Sequence, residues 1–137
     1  MVEVVPFGAE HLDGVLELAS AEGWPSLPTD PARALRVLTA PGVTTVVARD
    51  ERRVVGFAEM LCDGEIQAYL ALLVVAADRR GEGIGRLLTR SATERAGGSR
   101  VDLLSETESA GFYERFVHQR LPGFRIYPAA EPPGDAR

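Results

Sequence analysis

The sequence predicts an α/β domain, and three consecutive features carry that prediction. An apolar run, Ala68–Val75, has the length and composition of a buried strand. A turn rich in Arg and Gly follows, from Arg80 to Arg86. Beyond Gly83, apolar residues recur at the spacing of an amphipathic helix. A strand, a glycine turn and a helix in this order are typical of a site that holds an anion at the start of the helix.

Length and composition narrow the class of protein. The chain has 137 residues, of which 45% are hydrophobic and 26% charged, as in one soluble globular domain. The formal net charge of −5 argues against a nucleic-acid partner. No apolar run could span a membrane and no leader is recognisable, so we expect a cytoplasmic protein without a membrane partner. One cysteine, Cys62, and two histidines predict neither a disulfide framework nor a metal site.

Strand and helix patterns alternate along the chain. Two β-rich runs across the charged turn Asp50-Glu51-Arg52 predict a hairpin. The predicted strands are Val2–Pro6, Val43–Arg49, Arg53–Leu61, Ala68–Val75, Val101–Ser105 and Phe124–Tyr127. Predicted helices are Ala9–Ala21, one that starts at Thr29 or Asp30 before Pro31 and ends at Pro41-Gly42, one from Gly83 to near Gly97-Gly98, and Glu108–Phe116. We expect one domain over residues 1–128 and a disordered tail over 129–137.

Alternate glycines make the turn suited to a diphosphate. Gly81, Gly83 and Gly85 leave backbone N–H groups open to close approach by a bulky ligand group. The first amides of the following helix lack internal partners and carry partial positive charge. Arg80 and Arg86 bracket the turn and can add charge-assisted bonds to phosphate oxygens. The spacing fits neither a P-loop nor the G-x-G-x-x-G dinucleotide fingerprint.

The hexapeptide from Arg80 to Gly85 resembles the Arg/Gln-x-x-Gly-x-Gly/Ala signature of the GNAT superfamily of N-acetyltransferases. The order of predicted elements is also similar to the GNAT fold, a mixed central β-sheet with helices on both faces. The resemblance implies that acetyl-CoA is the cosubstrate, that no metal is needed, and that the turn binds the pyrophosphate. The implied cofactor-binding residues are Arg80, Gly81, Glu82, Gly83, Ile84, Gly85 and Arg86 in the turn, and Leu73 and Val75, whose backbone would bind pantetheine.

A second stretch, Ser109–Arg115, resembles the A-x-x-F-Y helix of the same family. The resemblance implies that Tyr113 lies near the thioester sulfur, where a phenol with a pKa of about 10 can protonate the departing thiolate. The alternative is a packing role, with the hydroxyl bonded to backbone. Two departures from the family pattern follow: Glu106 stands where many members have Asn, and Phe116–Leu121 precedes the final Gly-Phe.

Transfer to an amine also needs a general base, and several carboxylates could serve. Family members often place a carboxylate midway along one face of the strand before the turn, but the same face of this strand has no carboxylate at its middle. Glu65 is expected on the same face at the start of the strand. The candidates, in order, are Glu106 and Glu65, then Glu59 and His118. Each could instead be a solvated surface group.

Two classes of function stay open. One is an acetyl-CoA-dependent N-acetyltransferase that moves acetyl to a primary amine by direct attack in a ternary complex. Its acceptor would be a small-molecule amine or a polypeptide N-terminus, and a homodimer is an open alternative to a monomer. The other is a catalytically silent GNAT-fold module that binds CoA as a sensor or regulator. The segment Phe116–Leu121 and the loop Trp24–Pro28 are predicted to line the acceptor pocket.

Overall fold

A computed structural model describes residues 1–24, 27 and 30–131 of the chain. Their backbone groups into two compact units, Met1–Leu103 and Leu104–Arg137. The strands are β1 (Val2–Pro6), β2 (Val43–Asp50), β3 (Arg53–Cys62), β4 (Gln67–Val75) and β5 (Arg100–Asp102). The helices are α1 (Leu12–Ala21), α2 (Pro31–Leu38), α3 (Ile84–Ala96) and α4 (Ala110–Tyr113). Much of the predicted loop Trp24–Pro28, and residues 132–137 of the predicted tail, lie outside the described residues.

The first unit is built on one five-stranded sheet with the strand order β1-β2-β3-β4-β5. The first three strand pairs are antiparallel, and the last, β4 with β5, is parallel. A parallel pair needs a crossover connection, and α3 provides it. The predicted hairpin across Asp50-Glu51-Arg52 is confirmed, with Glu51 at a φ of 56°. The sheet is therefore mixed, as predicted.

Helices cover both faces of this sheet. Phe57 on β3 packs in a core cluster with Val15 of α1 and Ala34 of α2. A side chain at the adjacent Gly56 would instead meet Leu88 of α3, because its Cβ would lie 2.9 Å from Leu88 Cδ1. Adjacent residues of a strand point to opposite faces, so α1 and α2 lie on one face and α3 on the other.

The predicted last strand, Phe124–Tyr127, is wrong. Its Phe-Arg-Ile-Tyr pattern alternates as a half-buried strand should. In the structure this backbone joins no strand ladder, and the Phe124 and Ile126 side chains are 86% and 80% exposed. The alternation therefore lacks the buried face that would fix a strand, because β propensity depends on packing against neighbours.

Two other elements of the second half of the chain are shorter than predicted. The strand expected over Val101–Ser105 is only Arg100–Asp102. The helix expected over Glu108–Phe116 is a 3-10 turn, Thr107–Ser109, followed by the single turn of α4. Within the described part of the chain, no helix is long and apolar enough to cross a membrane.

Candidate active site

β4 leaves most of one edge open. β5 pairs with β4 only at Gln67, Ala68 and Tyr69, although β4 continues to Val75. Among the described strands, none pairs with the rest of that edge. A register shift near Glu59 marks a bulge in the β3–β4 pairing, and bulges bend a strand and are common next to active sites. An edge of unpaired N–H and C=O groups can bind an extended ligand.

The backbone groups of Leu73 and Val75 face this open edge. Ala76 donates its N–H to the carbonyl of Val55 on β3, at 2.9 Å. Successive residues of a strand direct their N–H and C=O groups to alternate sides. The groups of Val75 and Leu73 therefore point away from β3. These are the residues that the family resemblance assigned to pantetheine, and the geometry suits that role.

The turn after β4 needs glycine for its backbone conformation rather than for packing. Gly81 and Gly83 have φ angles of +81° and +83°, in the left-handed region that other residues adopt only at a cost. Apart from the adjacent residues of the chain, no described residue would place an atom within 4 Å of a Cβ at either position. The space above this backbone is therefore free for a ligand.

Helix α3 begins directly at this turn. Its N-cap is Gly83, which has no side chain to cap the helix, and the first helical hydrogen bond runs from Leu87 N–H to Gly83 C=O at 3.1 Å. The amides of Ile84 and Gly85 precede that bond. N–H groups at this position lack an intrahelical acceptor and lie at the positive end of the helix dipole. The open glycine backbone and the uncapped helix start together fit a diphosphate.

Ion pairs hold the residues that lead into the turn. The Asp78 carboxylate accepts two hydrogen bonds from the Arg53 guanidinium of β3, at 2.7 and 2.9 Å, and this pairing lowers the pKa of the Asp78 carboxyl. The Arg79 guanidinium donates to both carboxylate oxygens of Glu82 at 3.0–3.2 Å. It also donates to the Asp50 carboxylate at 3.0 Å. Glu82 is the acid within the turn, and Arg79 neutralises its charge there. A carboxylate beside a diphosphate would otherwise repel it.

Arg80 of the turn also has a partner, which the sequence did not reveal. The residue that caps the C-terminus of α1, Glu22, forms an ion pair with the Arg80 guanidinium. Its other carboxylate oxygen accepts the N–H of Ala77 at 3.2 Å. The two charged residues are far apart along the chain, and no local pattern could have connected them.

Glu59 is a buried acid in the middle of the sheet. Its side chain is 6% exposed, and it is the one buried carboxylic acid among residues 1–24, 27 and 30–131. It lies opposite Thr45 on β2 and Leu72 on β4. Directly opposed residues share a face, so Glu59 faces the side of α1 and α2. Burial raises the pKa of its carboxyl above the usual 4.5, as a general base acting near neutral pH requires.

The two carboxylates ranked first from the sequence occupy different surroundings. Glu65 is exposed and precedes β4, in a turn where Asp63 Oδ1 accepts its N–H at 2.8 Å. Strand alternation therefore does not set the direction of the Glu65 side chain. Glu106 is also exposed and caps the 3-10 turn of the second unit. Both stay predictions as general bases.

Tyr113 is the last residue of α4 in the second unit. The side chain is half-buried, and Phe112 contacts it edge-on with ring centroids 5.0 Å apart. Burial raises the pKa of the Tyr113 phenol above 10. The hydroxyl therefore keeps its proton at neutral pH, as a general acid must before it acts.

The segment Phe116–Leu121 is largely exposed. His118 Nδ1 lies 2.7 Å from the carbonyl oxygen of Phe116, and Arg120 forms an ion pair with Glu114 at 3.3 Å. Trp24, in the first unit, is partly buried and packs against the core cluster of that unit. The acceptor pocket stays a prediction.

A separate groove of about 300 Å³ lies on the first unit, away from the turn. Its lining includes Pro6, Phe7, Leu38, Thr39, Thr44 and Arg95. None of these residues belongs to the open edge of β4 or to the glycine turn. Within the described part of the chain, no three His, Cys, Asp or Glu residues group as a metal site.

The mixed sheet, the open edge of β4 and the glycine turn define the class of GNAT-type acetyltransferase folds. The family model of the acetyltransferase (GNAT) domain matches residues 41–116, more than half of the chain. The chain therefore belongs to the GNAT acetyltransferase family, and the predicted family and fold class are confirmed. No curated protein matches the chain.

Solved structures agree with this assignment. A protein of Agrobacterium tumefaciens C58 that is described as an acetyltransferase is 30% identical to this chain. The match covers 91% of this chain and 99% of that chain, with a TM-score of 0.76. Another, from Deinococcus radiodurans R1, is 29% identical, with 92% and 87% covered and a TM-score of 0.74. An aminoglycoside N-acetyltransferase solved in complex with CoA shares the fold at 16% identity, with 92% and 95% covered and a TM-score of 0.73.

Proposed function

We propose that the protein is an acetyl-CoA-dependent N-acetyltransferase that acetylates a primary amine by direct attack in a ternary complex. The observation that carries the proposal is the continuity of the open β4 edge with the uncapped glycine turn at the start of α3. An extended pantetheine arm and a diphosphate need these two surfaces in this order. The CoA complex of the related aminoglycoside acetyltransferase adds support.

The cosubstrate would be held by backbone. The groups of Leu73 and Val75 would bind the pantetheine amides, and the turn from Arg80 to Arg86 would bind the diphosphate. Acetyl-CoA supplies the acetyl thioester. No metal is needed for this chemistry. The acceptor is a small-molecule amine or a polypeptide N-terminus.

The acetyl transfer also needs two proton transfers, which side chains would carry out. We assign Glu59 ahead of Glu106 and Glu65 as the base that takes the amine proton, directly or through water, because it is buried and its pKa is raised. Tyr113 protonates the departing sulfur, a role supported by the family resemblance and by its raised pKa. The site of action is the cytoplasm.

Release of free CoA thiol over a panel of primary amines tests the function. We expect at least one amine or N-terminal peptide to raise release above the rate of acetyl-CoA hydrolysis, with an acetylated product of the matching mass. The same panel run with the tertiary-amine analogue of the best acceptor is the control. Tight CoA binding without amine-dependent release would favour the alternative, a silent module that senses CoA.

Glu59→Gln should separate catalysis from stability. The folded pKa of Glu59 is raised, so its contribution to stability is full below about pH 4.5 and is lost as the pH rises through the folded value. Gln keeps the shape without the charge. We therefore expect Glu59→Gln to unfold at higher temperature than the parent at neutral pH, with the difference vanishing in acid. Turnover should fall by about 10²–10⁴-fold if Glu59 is the base.

Glu94→Gln is the matched control for this variant, because Glu94 is an exposed acid on α3 with no proposed role in the reaction. It should change neither the melting temperature nor the turnover number appreciably. A Glu59→Gln protein that is more stable and fully active would show that the buried acid is not the base.

A further inference from the structure

Glu22 bridges two parts of the first unit that the proposed function uses separately. Its carboxylate pairs with the Arg80 guanidinium and accepts the N–H of Ala77, both at the entry to the glycine turn. Glu22 also ends α1, two residues before Trp24. One side chain therefore connects the proposed diphosphate site to the segment proposed to line the acceptor pocket.

The two partners differ in exposure. The side chain of Glu22 is 14% exposed, whereas that of Arg80 is 61% exposed. The α1 C-terminus and the Ala77 amide hold Glu22 in place, while the Arg80 guanidinium extends into solvent. Arg80 can therefore turn toward a phosphate oxygen, which is as strong a charge-assisted acceptor as a carboxylate.

Occupation of the turn would change the surroundings of Glu22. A bound diphosphate competes with the Glu22 carboxylate for Arg80 and brings like charge toward it. A largely buried carboxylate that loses its cation is unfavourable, so the end of α1 should adjust. The backbone N–H of Trp24 donates to the carbonyl of Ala19 in α1 at 2.9 Å, and the Trp24 side chain packs on the core cluster. A shift at the end of α1 would therefore move the indole of Trp24.

We infer that Glu22 is a positioning residue that couples diphosphate binding at the glycine turn to the conformation at Trp24. The inference rests on the proposed function, because it takes the turn as the diphosphate site. Coupling of this kind is reciprocal. An acceptor that binds against Trp24 should therefore change the affinity for the cosubstrate by the same factor.

Trp24 is the single tryptophan of the chain, so its fluorescence reports on this segment alone. The probe is adenosine 3′-phosphate 5′-diphosphate, which has the nucleotide and diphosphate of CoA but no pantetheine arm that could reach the indole. Calorimetry on the same samples gives the affinity and the saturating concentration. We expect the parent protein to change Trp24 emission as the probe saturates.

Glu22→Gln removes the charge while its amide oxygen can still accept the Ala77 N–H. At saturation, this variant should bind the probe and lose most of the emission change. Glu17→Gln is the matched control, since Glu17 is an exposed acid on the same helix, and it should behave as the parent does. A circular dichroism melt of each variant verifies folding.

Several results would overturn the inference. They are a parent protein that binds the probe without an emission change, a Glu22→Gln protein that binds it with the full change, or a Glu22→Gln protein that no longer binds it. A parent that binds neither the probe nor CoA in the calorimeter refutes the diphosphate site itself, and with it both proposals. Calorimetry thus distinguishes the two failures.

Discussion

Tyr113→Phe is expected to lower the turnover number by about 10²–10⁴-fold, the usual contribution of a general acid. The substitution removes the hydroxyl and keeps the ring, so the edge-on contact with Phe112 is preserved. Because the proposed role is confined to the departing sulfur, the affinity for acetyl-CoA should stay nearly constant. Steady-state kinetics with an identified amine, together with calorimetry of CoA, measures both quantities.

Tyr127→Phe provides the control for this experiment. Tyr127 lies in the same unit and is 66% exposed, so loss of its hydroxyl should leave the kinetics unchanged. A Tyr113→Phe enzyme with parental turnover would make Tyr113 a packing residue and would leave the sulfur to another donor.

Gly83→Asp is expected to reduce CoA affinity by up to about a thousandfold. Two like charges about 4 Å apart near a protein surface repel by about 4 kcal/mol, and each 1.4 kcal/mol is about tenfold in affinity. The new carboxylate would enter the open space above the turn, where no described atom outside the adjacent residues lies within 4 Å of an added Cβ. Calorimetric titration with CoA measures the loss.

Gly83→Ala separates backbone strain from charge. An alanine at a φ of +83° strains the backbone as an aspartate does, at a cost of about 1–2 kcal/mol in the free energy of folding, but it carries no charge. We expect both variants to melt at a lower temperature than the parent, and only Gly83→Asp to lose most of its CoA affinity. Equal and parental affinity in two folded variants would exclude the turn as the diphosphate site.

Local sequence was sufficient to predict the turn and the elements around it. The Arg80–Arg86 stretch, the strand before it and the helix after it are contiguous, so periodicity and glycine spacing report directly on their structure. The charged hairpin and the helix that starts at Asp30 and Pro31 are local in the same sense, since Asp30 accepts the Ala32 N–H at 3.0 Å. Such features depend on few contacts distant in sequence.

Features that depend on distant contacts were not predictable. Glu59 is buried because Thr45 and Leu72 flank it on neighbouring strands, and the sequence ranked it below exposed acids. The Glu22–Arg80 pair likewise exists only once α1 and the turn are brought together. Alternation at Phe124–Tyr127 predicted a strand that the structure lacks, because a β pattern without a partner strand does not specify one.

An NMR titration of ¹⁵N-labelled protein with CoA tests most directly where the cosubstrate binds. The proposed placement predicts that the amide signals of Leu73, Val75, Gly81, Gly83 and Gly85 shift most. Amides of the separate groove, such as Phe7 and Thr44, should shift little. Shifts confined to that groove, or saturation of CoA binding without shifts along β4 and the turn, would contradict the placement and the proposed function that depends on it.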